Sequence, residues 1–490
     1  MKTQLYQWLK TNRVMLINAG SLVCTTLVTG VLGFAYWWVG ARQFHPDALG
    51  LASAAISAMM LLGAICVLGL GTLLIGELPR QPGKEASLIS TALLLVGLVG
   101  GLTGILFALI APLISLDFLP LRASIGSILI FAAGVSFTSI TIVLDQALIG
   151  LLRGELQFWR NTLFAAAKLA VLIATGLALH SSLFFRGGVA IYATWAIGNA
   201  ISLVPLAILV LVKQRSSLAR IMPNWSLLRK LGFSAFQHHM LNLIQQVPTT
   251  ALPVLVTVLL SATTNAWFYI AWMISGFVFT ASYALTTVLY AINTAPPDEI
   301  ARKMRMTLNL AFITSLGANL VIQIGATQIL GLFGHTYAEE AAWSLRIVSL
   351  AAFPMIIKYH YIAVSRINQK LLRAMLPVAI GSVLELGAAA LGARMGNLVG
   401  LTIGWTCAVG IEAVLMSPAV FKAVRFRPSI QMQQSISLAG TIPLETLEMA
   451  GISSSSSKKQ EAFRSSVSVA TLNTAEKTEV LIPLSAIASD

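Results

Sequence analysis

Five ionisable side chains stand inside apolar stretches of this 490-residue chain: Asp145, Lys168, Lys358, Glu385 and Glu412. A charge in hydrocarbon costs about 2.5–3.5 kcal/mol on insertion scales, so such residues pair, face water or carry a function. Their spacing gives their depth. Asp145 lies eight residues before Arg153, and Lys168 lies eight residues after Arg160. At about 1.5 Å per helical residue, both sit about 12 Å inside the same flank. On adjacent antiparallel helices, equal depth predicts an Asp145–Lys168 ion pair, acting either as a pin between helices or as part of a cavity wall. Lys358 lies eight residues before Arg366, at the equivalent depth with opposite sign to Asp145, and Glu385 and Glu412 are its candidate partners. It opens the run Lys358-Tyr359-His360-Tyr361, which reads as cavity lining. His238, eight residues after Lys230, brings a titratable imidazole to the same layer. The two lysines could attract an anion, and Asp145, Glu385 and Glu412 could take a coupling cation.

Sites for bond-breaking chemistry are missing. Gly83-Lys84 is followed by Glu85 and lacks the upstream glycine of a phosphate-binding loop. Cys24, Cys66 and Cys407 are scattered through apolar runs, which implies no disulfide framework. His238 and His239 point to different helix faces, and no metal-ligand spacing or Ser/His/Asp set can be assembled. The expectation is a protein that is not an enzyme and has no metal and no cofactor.

The elements that must position these charges follow from composition. Hydrophobic residues make up 57% of the chain and charged residues 10%, with mean hydropathy +0.82. Soluble domains carry about 25% charged residues, so an ordinary soluble enzyme is excluded, as are a disordered chain and a nucleic-acid binder, despite a net charge of +14. A bilayer is crossed by about 20 apolar helical residues. Twelve such stretches lie near 14–40, 49–76, 87–113, 124–150, 162–181, 188–212, 232–260, 265–293, 306–333, 342–364, 371–393 and 397–421. None alternates with the period of a barrel strand. The fold class is an all-α membrane protein of about 12 transmembrane helices. The first stretch is too long for the apolar part of a cleaved leader and reads as a retained span.

Basic residues alternate between the connections. One set holds Lys2, Lys10, Arg13, Arg80, Lys84, Arg153, Arg160, Lys213, Arg215, Arg220, Arg229, Lys230, Arg302, Lys303, Arg305, Arg366, Lys370, Arg373, Lys422, Arg425 and Arg427; the other holds Arg42, Arg122, Arg186, Arg346 and Arg394. Twenty-one against five places both termini in the cytoplasm of a multi-pass protein of the cell (inner) membrane. Trp37, Trp38, Trp267 and Trp343 then fall near the outer interface, and Trp8, Trp159 and Trp225 near the inner one. The connections on the outer side are about a dozen residues or shorter.

The longest internal basic connection, 213–231, divides the chain into six-span halves, 1–212 and 232–427, followed by a cytoplasmic tail, 428–490, that reads as disordered. The halves should be parallel repeats. Asn18, Ser21, Thr25 and Thr29 form a polar row on one face of span one; His238, Asn242, Gln245 and Thr249 form one on span seven, thickened by Gln237, His239 and Gln246. The span-seven row predicts a wet cavity. The span-one row fits a facing cavity wall or ordinary bonds between helices equally well. Pro248 and Pro253 predict a kink in span seven, static or hinging.

Three segments resemble the polysaccharide transporters of the MOP superfamily, which include O-antigen (Wzx-type) flippases and are distant relatives of the MATE exporters. They are Asn18-Ala-Gly-Ser-Leu through Val31-Leu-Gly-Phe-Ala-Tyr-Trp-Trp to Ala48-Leu-Gly-Leu-Ala-Ser-Ala; Leu144-Asp-Gln-Ala-Leu-Ile-Gly-Leu-Leu-Arg-Gly with Trp159-Arg-Asn and Lys168; and Ile329-Leu-Gly-Leu-Phe-Gly-His-Thr-Tyr-Ala-Glu-Glu. The similarity is diffuse and covers roughly residues 10–425. It implies two six-helix bundles in a V-shaped alternating-access transporter that moves an undecaprenyl-pyrophosphate-linked oligosaccharide from the inner to the outer leaflet. Lipid-linked oligosaccharide and membrane lipids are the implied partners, with polysaccharide-synthesis proteins as further candidates. Lys168 and Lys358 would meet the pyrophosphate, and side chains such as Asn18, Thr25, His238, Asn242, Gln245 and Tyr359 would meet the sugar. The arginines that lipid II flippases carry in their first two helices are absent here, as is the acid that MATE exporters often place in the first. The other readings are a cation-coupled exporter of amphipathic small molecules and a membrane glycosyltransferase or polymerase. The short outer connections argue against the last.

Overall fold

The computed structural model describes residues 13–179, 187–213, 233–291, 297–368 and 370–424. The linker beyond Lys213, the tail, Trp8, Trp225 and the side chains of Asn18 and His238 lie outside the described residues. The described chain is helical and has no strand. That is what lipid demands of a spanning backbone, whose N–H and C=O groups must be satisfied within the segment.

The helices are α1 (Arg13–Gln43), α2 (Pro46–Cys66), α3 (Leu70–Glu77), α4 (Glu85–Ile114), α5 (Ile125–Gly150), α6 (Gly154–Leu179), α7 (Gly188–Lys213), α8 (Phe233–Leu259), α9 (Ala262–Ala291), α10 (Pro297–Gly331), α11 (His335–Leu350), α12 (Ala352–Ile367) and α13 (Leu371–Val424). Among the described residues they account for the twelve expected spans, in two six-helix halves. Span two is α2 continued by α3, span ten is α11 with α12, and α13 holds spans eleven and twelve. Within α13 the helical geometry fails at Gly396 (φ −150°, ψ 32°) and Asn397 (φ 50°, ψ −136°). Asparagine is among the few residues that visit the left-handed region readily. The chain doubles back there, and Gly392 meets Gly400 backbone to backbone.

Span two departs from the single helix expected over 49–76. The left-handed pair Leu68 (φ 53°) and Gly69 (φ 81°) separates α2 from α3. Glycine takes that conformation without the Cβ clash that would otherwise oppose it.

In the first half α4 packs on α5, α1 on α6, and α6 on α7; in the second, α9 packs on α8, α11 and α12. The halves meet where α2 packs across both α8 and α9. The sequence of α2 suits this, because its Ala, Ser and Gly residues let backbones approach closely. At Gly50 the approach is tightest: a methyl there would run into the carbonyl oxygen of Ala262.

Helix α8 runs through Pro248 and Pro253 as one element. Pro248 has no N–H to give the carbonyl four residues back, that of Ile244. Ser382 of span eleven supplies the missing donor, with its Oγ 2.8 Å from the Ile244 oxygen. Ser382→Ala is therefore expected to destabilise the protein by about 1–2 kcal/mol. The loss should shrink in a Pro248→Ala background, where the helix satisfies Ile244 itself; a double-mutant cycle of unfolding in mixed detergent measures both.

The described residues fall into two compact units: those within 13–291 and 306–420 form the larger, and 297–305 with 421–424 the smaller. In the smaller unit Lys303 Nζ meets Glu299 Oε1 at 2.7 Å, and Arg305 Nη1 donates to the Val424 carbonyl at 3.3 Å. All features described below belong to the larger unit.

Candidate functional site

The cavity is built from span seven outward. The polar row of α8 presents Asn242, Gln245, Gln246 and Thr249 to a cavity of about 420 Å³. Span ten closes the opposite side with Met355, Lys358, Tyr359 and Arg366, span eight adds Tyr283, span eleven Glu385, and span four of the first half Gln146. The rings of Tyr283 and Tyr359 meet edge to face at 5.5 Å between centroids. Neutral amides and phenols dominate the lining, with two cations and one carboxylate.

Arg366 reaches this wall from the basic flank. It holds no carboxylate within ion-pair distance among the described residues; its Nη2 donates to Asn242 Oδ1 at 2.5 Å, and its shielded Nε has no hydrogen-bond partner. A guanidinium bonded only to a neutral amide retains donors for an anion. Sequence reasoning counted Arg366 among flanking charges and did not name Gln146 or Tyr283. The spacing of Tyr359, Ile362, Ala363 and Arg366 is the signal that puts Arg366 on the cavity face.

Lys358, in the cavity wall, is 2% exposed. It pairs with both expected partners: its Nζ contacts Glu385 Oε1 and lies 2.8 Å from Glu412 Oε2. Trp405 Nε1 donates to the other Glu385 oxygen at 2.7 Å. Two carboxylates engage this ammonium, as the sequence expected.

Asp145 and Lys168 do not pair. The Asp145 carboxylate takes a two-pronged contact from Arg160, Nε to Oδ1 at 2.8 Å and Nη2 to Oδ2 at 2.6 Å, with Asn161 Nδ2 at 3.1 Å. Equal depth selects a layer but not a direction around the helix. Eight residues from Arg160 turn Lys168 by about 80°, away from Asp145. The Lys168 ammonium instead lies over three rings, Trp195 at 4.5 Å, Tyr36 at 4.7 Å and Phe164 at 4.9 Å. Cation–π attraction of this kind is worth up to about 2 kcal/mol or more when desolvated. Lys168 is 5% exposed and lies off the lining of the described cavity.

Span one contributes no lining residue either. The hydroxyls of Thr25 and Thr29 bond the carbonyls of Ser21 and Thr25, each at 2.7 Å, so they are satisfied within their own helix. Trp38, Trp159 and Trp343 are exposed as an interfacial belt requires, but Trp37 is buried against Tyr269 at 4.4 Å. Three consecutive aromatics on a helix cannot share one face.

At the end with few basic residues the halves are latched. Asn265 Nδ2 donates to the Gly50 carbonyl at 2.8 Å and to Ser53 Oγ at 2.9 Å; Asp117 Oδ2 accepts from the Ala262 N–H at 3.1 Å. Trp38 Nε1 and Arg42 Nε both donate to the Leu332 carbonyl at 2.9 Å. The cavity residues all lie towards the basic end, beyond this seal.

These features define a multi-pass α-helical membrane protein. Among the described residues, eleven helical stretches are long and apolar enough to cross a membrane, and the last, Leu372–Val424, is the hairpin of two spans. The fold is similar to that of solved MATE-family transporters of the MOP superfamily. A MATE-family multidrug resistance transporter in an inward-facing conformation superposes with a TM-score of 0.60 at 16% identity, covering 81% of this chain and 95% of that one. A MATE structure in the straight conformation gives 0.57 at 14% identity, covering 84% and 97%. A MOP-superfamily transporter from Pyrococcus furiosus gives 0.53 at 15%, covering 84% and 94%. No protein-family model and no curated protein matches the sequence.

Proposed function

We propose that this protein is an alternating-access transporter that carries an undecaprenyl-pyrophosphate-linked oligosaccharide from the cytoplasmic to the outer leaflet of the cell membrane for surface-polysaccharide synthesis. The observation that carries the reading is the cavity itself: amide and phenol side chains suited to sugar hydroxyls surround one guanidinium, Arg366, that has no acid partner among the described residues. A glycan head cannot cross hydrocarbon without such a chamber, whereas its lipid tail can remain in the bilayer. Arg366 takes the pyrophosphate-binding role that the sequence offered to Lys168 and Lys358. The charge asymmetry of the connections puts both termini and the cavity on the cytoplasmic side. The halves 1–212 and 232–427 are the units that rock, and polysaccharide-synthesis proteins are the partners that would supply and consume the cargo.

One observation favours a second reading, a cation-coupled exporter of amphipathic small molecules. Glu385 and Glu412 exceed in charge the single ammonium beside them.

Reconstituted vesicles carrying a labelled undecaprenyl-pyrophosphate oligosaccharide, with and without a proton or sodium gradient, separate these readings by leaflet accessibility. The wild type should translocate the label; Arg366→Ala should slow it at least about tenfold, the equivalent of 1.4 kcal/mol, and Arg366→Lys should keep part of the rate. No translocation by the wild type under any gradient would overturn the flippase reading, and normal transport by Arg366→Ala would remove Arg366 from it.

A further inference from the structure

The second half buries one ammonium with two carboxylates. Lys358, Glu385 and Glu412 come from spans ten, eleven and twelve, and their side chains are 2%, 1% and 3% exposed. Fully ionised, the cluster carries one net negative charge in surroundings where an uncompensated charge costs several kcal/mol. Neither Glu412 oxygen has an aligned hydrogen-bond donor, although Oε2 lies 2.8 Å from Lys358 Nζ. Glu385 and Glu412 converge on the one Lys358 nitrogen, Glu385 through Oε1 and Glu412 through Oε2. Two carboxylates this close repel unless a proton lies between them. Span eleven makes room for the contact at Gly381, where a methyl would collide with the Glu412 carboxyl group.

We propose that Glu385 and Glu412 share one bound proton, held as a carboxyl–carboxylate hydrogen bond beside Lys358, and that this proton sets the affinity of the adjoining cavity for anions. The charge count gives the mechanism. Lys358, Arg366, Glu385 and Glu412 sum to zero when all are ionised and to +1 with the shared proton. The remaining titratable groups near the cluster leave that difference intact. Tyr283 of α9 and Tyr359 of α12 line the same cavity as phenols. His239 of α8 is buried, and its Nε2 has no hydrogen-bond partner. His360 of α12 turns to Thr307 and to the Ile356 carbonyl. Span four faces the cavity with neutral Gln146. Binding of an anion and retention of the proton must favour each other by the same factor. An anionic cargo would thus be held while the proton stays and loosened when it leaves.

The proton site stands on the geometry of the cluster; its effect on an anion rests on the transport reading above. The test uses the full chain in lipid nanodiscs. Infrared difference spectra over a pH titration should show a protonated-carboxyl stretch that shifts in deuterated water and is lost in Glu412→Gln and in Glu385→Gln. Absence of the band from the wild type, or its persistence in both variants, overturns the proton site. Farnesyl pyrophosphate serves as the anion probe. Its binding should weaken by about tenfold as pH rises through the titration of the band, and Glu412→Gln should hold it at the tight level at every pH. Binding that ignores pH in the wild type overturns the coupling. A wild type that shows the band but binds no probe leaves the proton site standing and counts against the flippase reading.

Discussion

Lys358→Ala is expected to destabilise the protein by about 3–5 kcal/mol, because removing one member of a buried ionic cluster strands the others. Here it strands two carboxylates, Glu385 and Glu412, that share the single ammonium. Replacing all three by neutral side chains, Lys358→Met with Glu385→Gln and Glu412→Gln, should recover most of that loss. The amide oxygen that Glu385→Gln introduces can still accept from Trp405 Nε1, which lies 2.7 Å from the native carboxylate. Unfolding in mixed detergent, with abundance in the membrane as a second readout, checks both variants. If Lys358→Ala proves as stable as the wild type, the cluster is not a closed charge system. A transport defect in this variant must therefore be normalised to folded protein before it says anything about cargo.

Gly50→Val should break the seal between the halves. The side chain would occupy the space taken by the Ala262 carbonyl, and it would push apart the backbone that accepts from Asn265 Nδ2 at 2.8 Å. Moving a two-state equilibrium from 1:99 to 99:1 takes about 5.5 kcal/mol. A steric overlap with backbone, together with lost hydrogen bonds, is of that order. With Cys24, Cys66 and Cys407 replaced, spin labels at Arg122→Cys and His335→Cys would report the separation of the halves at the sealed end. The distance distribution should lengthen in Gly50→Val and stay unimodal and short in the parent. Unchanged distances in a folded Gly50→Val protein would mean that this contact does not hold the seal.

The spans were legible because lipid imposes a length on every apolar run, and among the described residues each of the twelve stretches is predominantly helical. The partners of Lys358 were legible for a similar reason: few polar groups exist at that depth, so an ammonium there had few candidates. Depth did not suffice for Asp145. Arg160 is close to the start of α6 and reads as a flank charge, yet its long side chain carries the guanidinium inward to the carboxylate. The ring cage of Lys168 draws on spans one, five and six, a convergence that no single helical face displays. The polar rows of spans one and seven look alike in one dimension. They separate only when the fold shows that the threonines of span one bond their own backbone, while the amides of span seven face a void. Leu68–Gly69 broke a helix where hydropathy alone saw continuity. The proton site needed the angular positions of three spans at once, which periodicity does not supply.

The reversal at Gly396–Asn397 bears on biogenesis. Two residues reach only about 7 Å when fully extended, too short a tether for one arm of the hairpin to settle in the bilayer while the other waits in the insertion machinery. The arms must enter as a unit. Each carries a glutamate that would be expensive to insert alone, and joint entry brings Trp405 to Glu385 in the same event. Lys358, synthesised earlier on span ten, is already waiting to receive them.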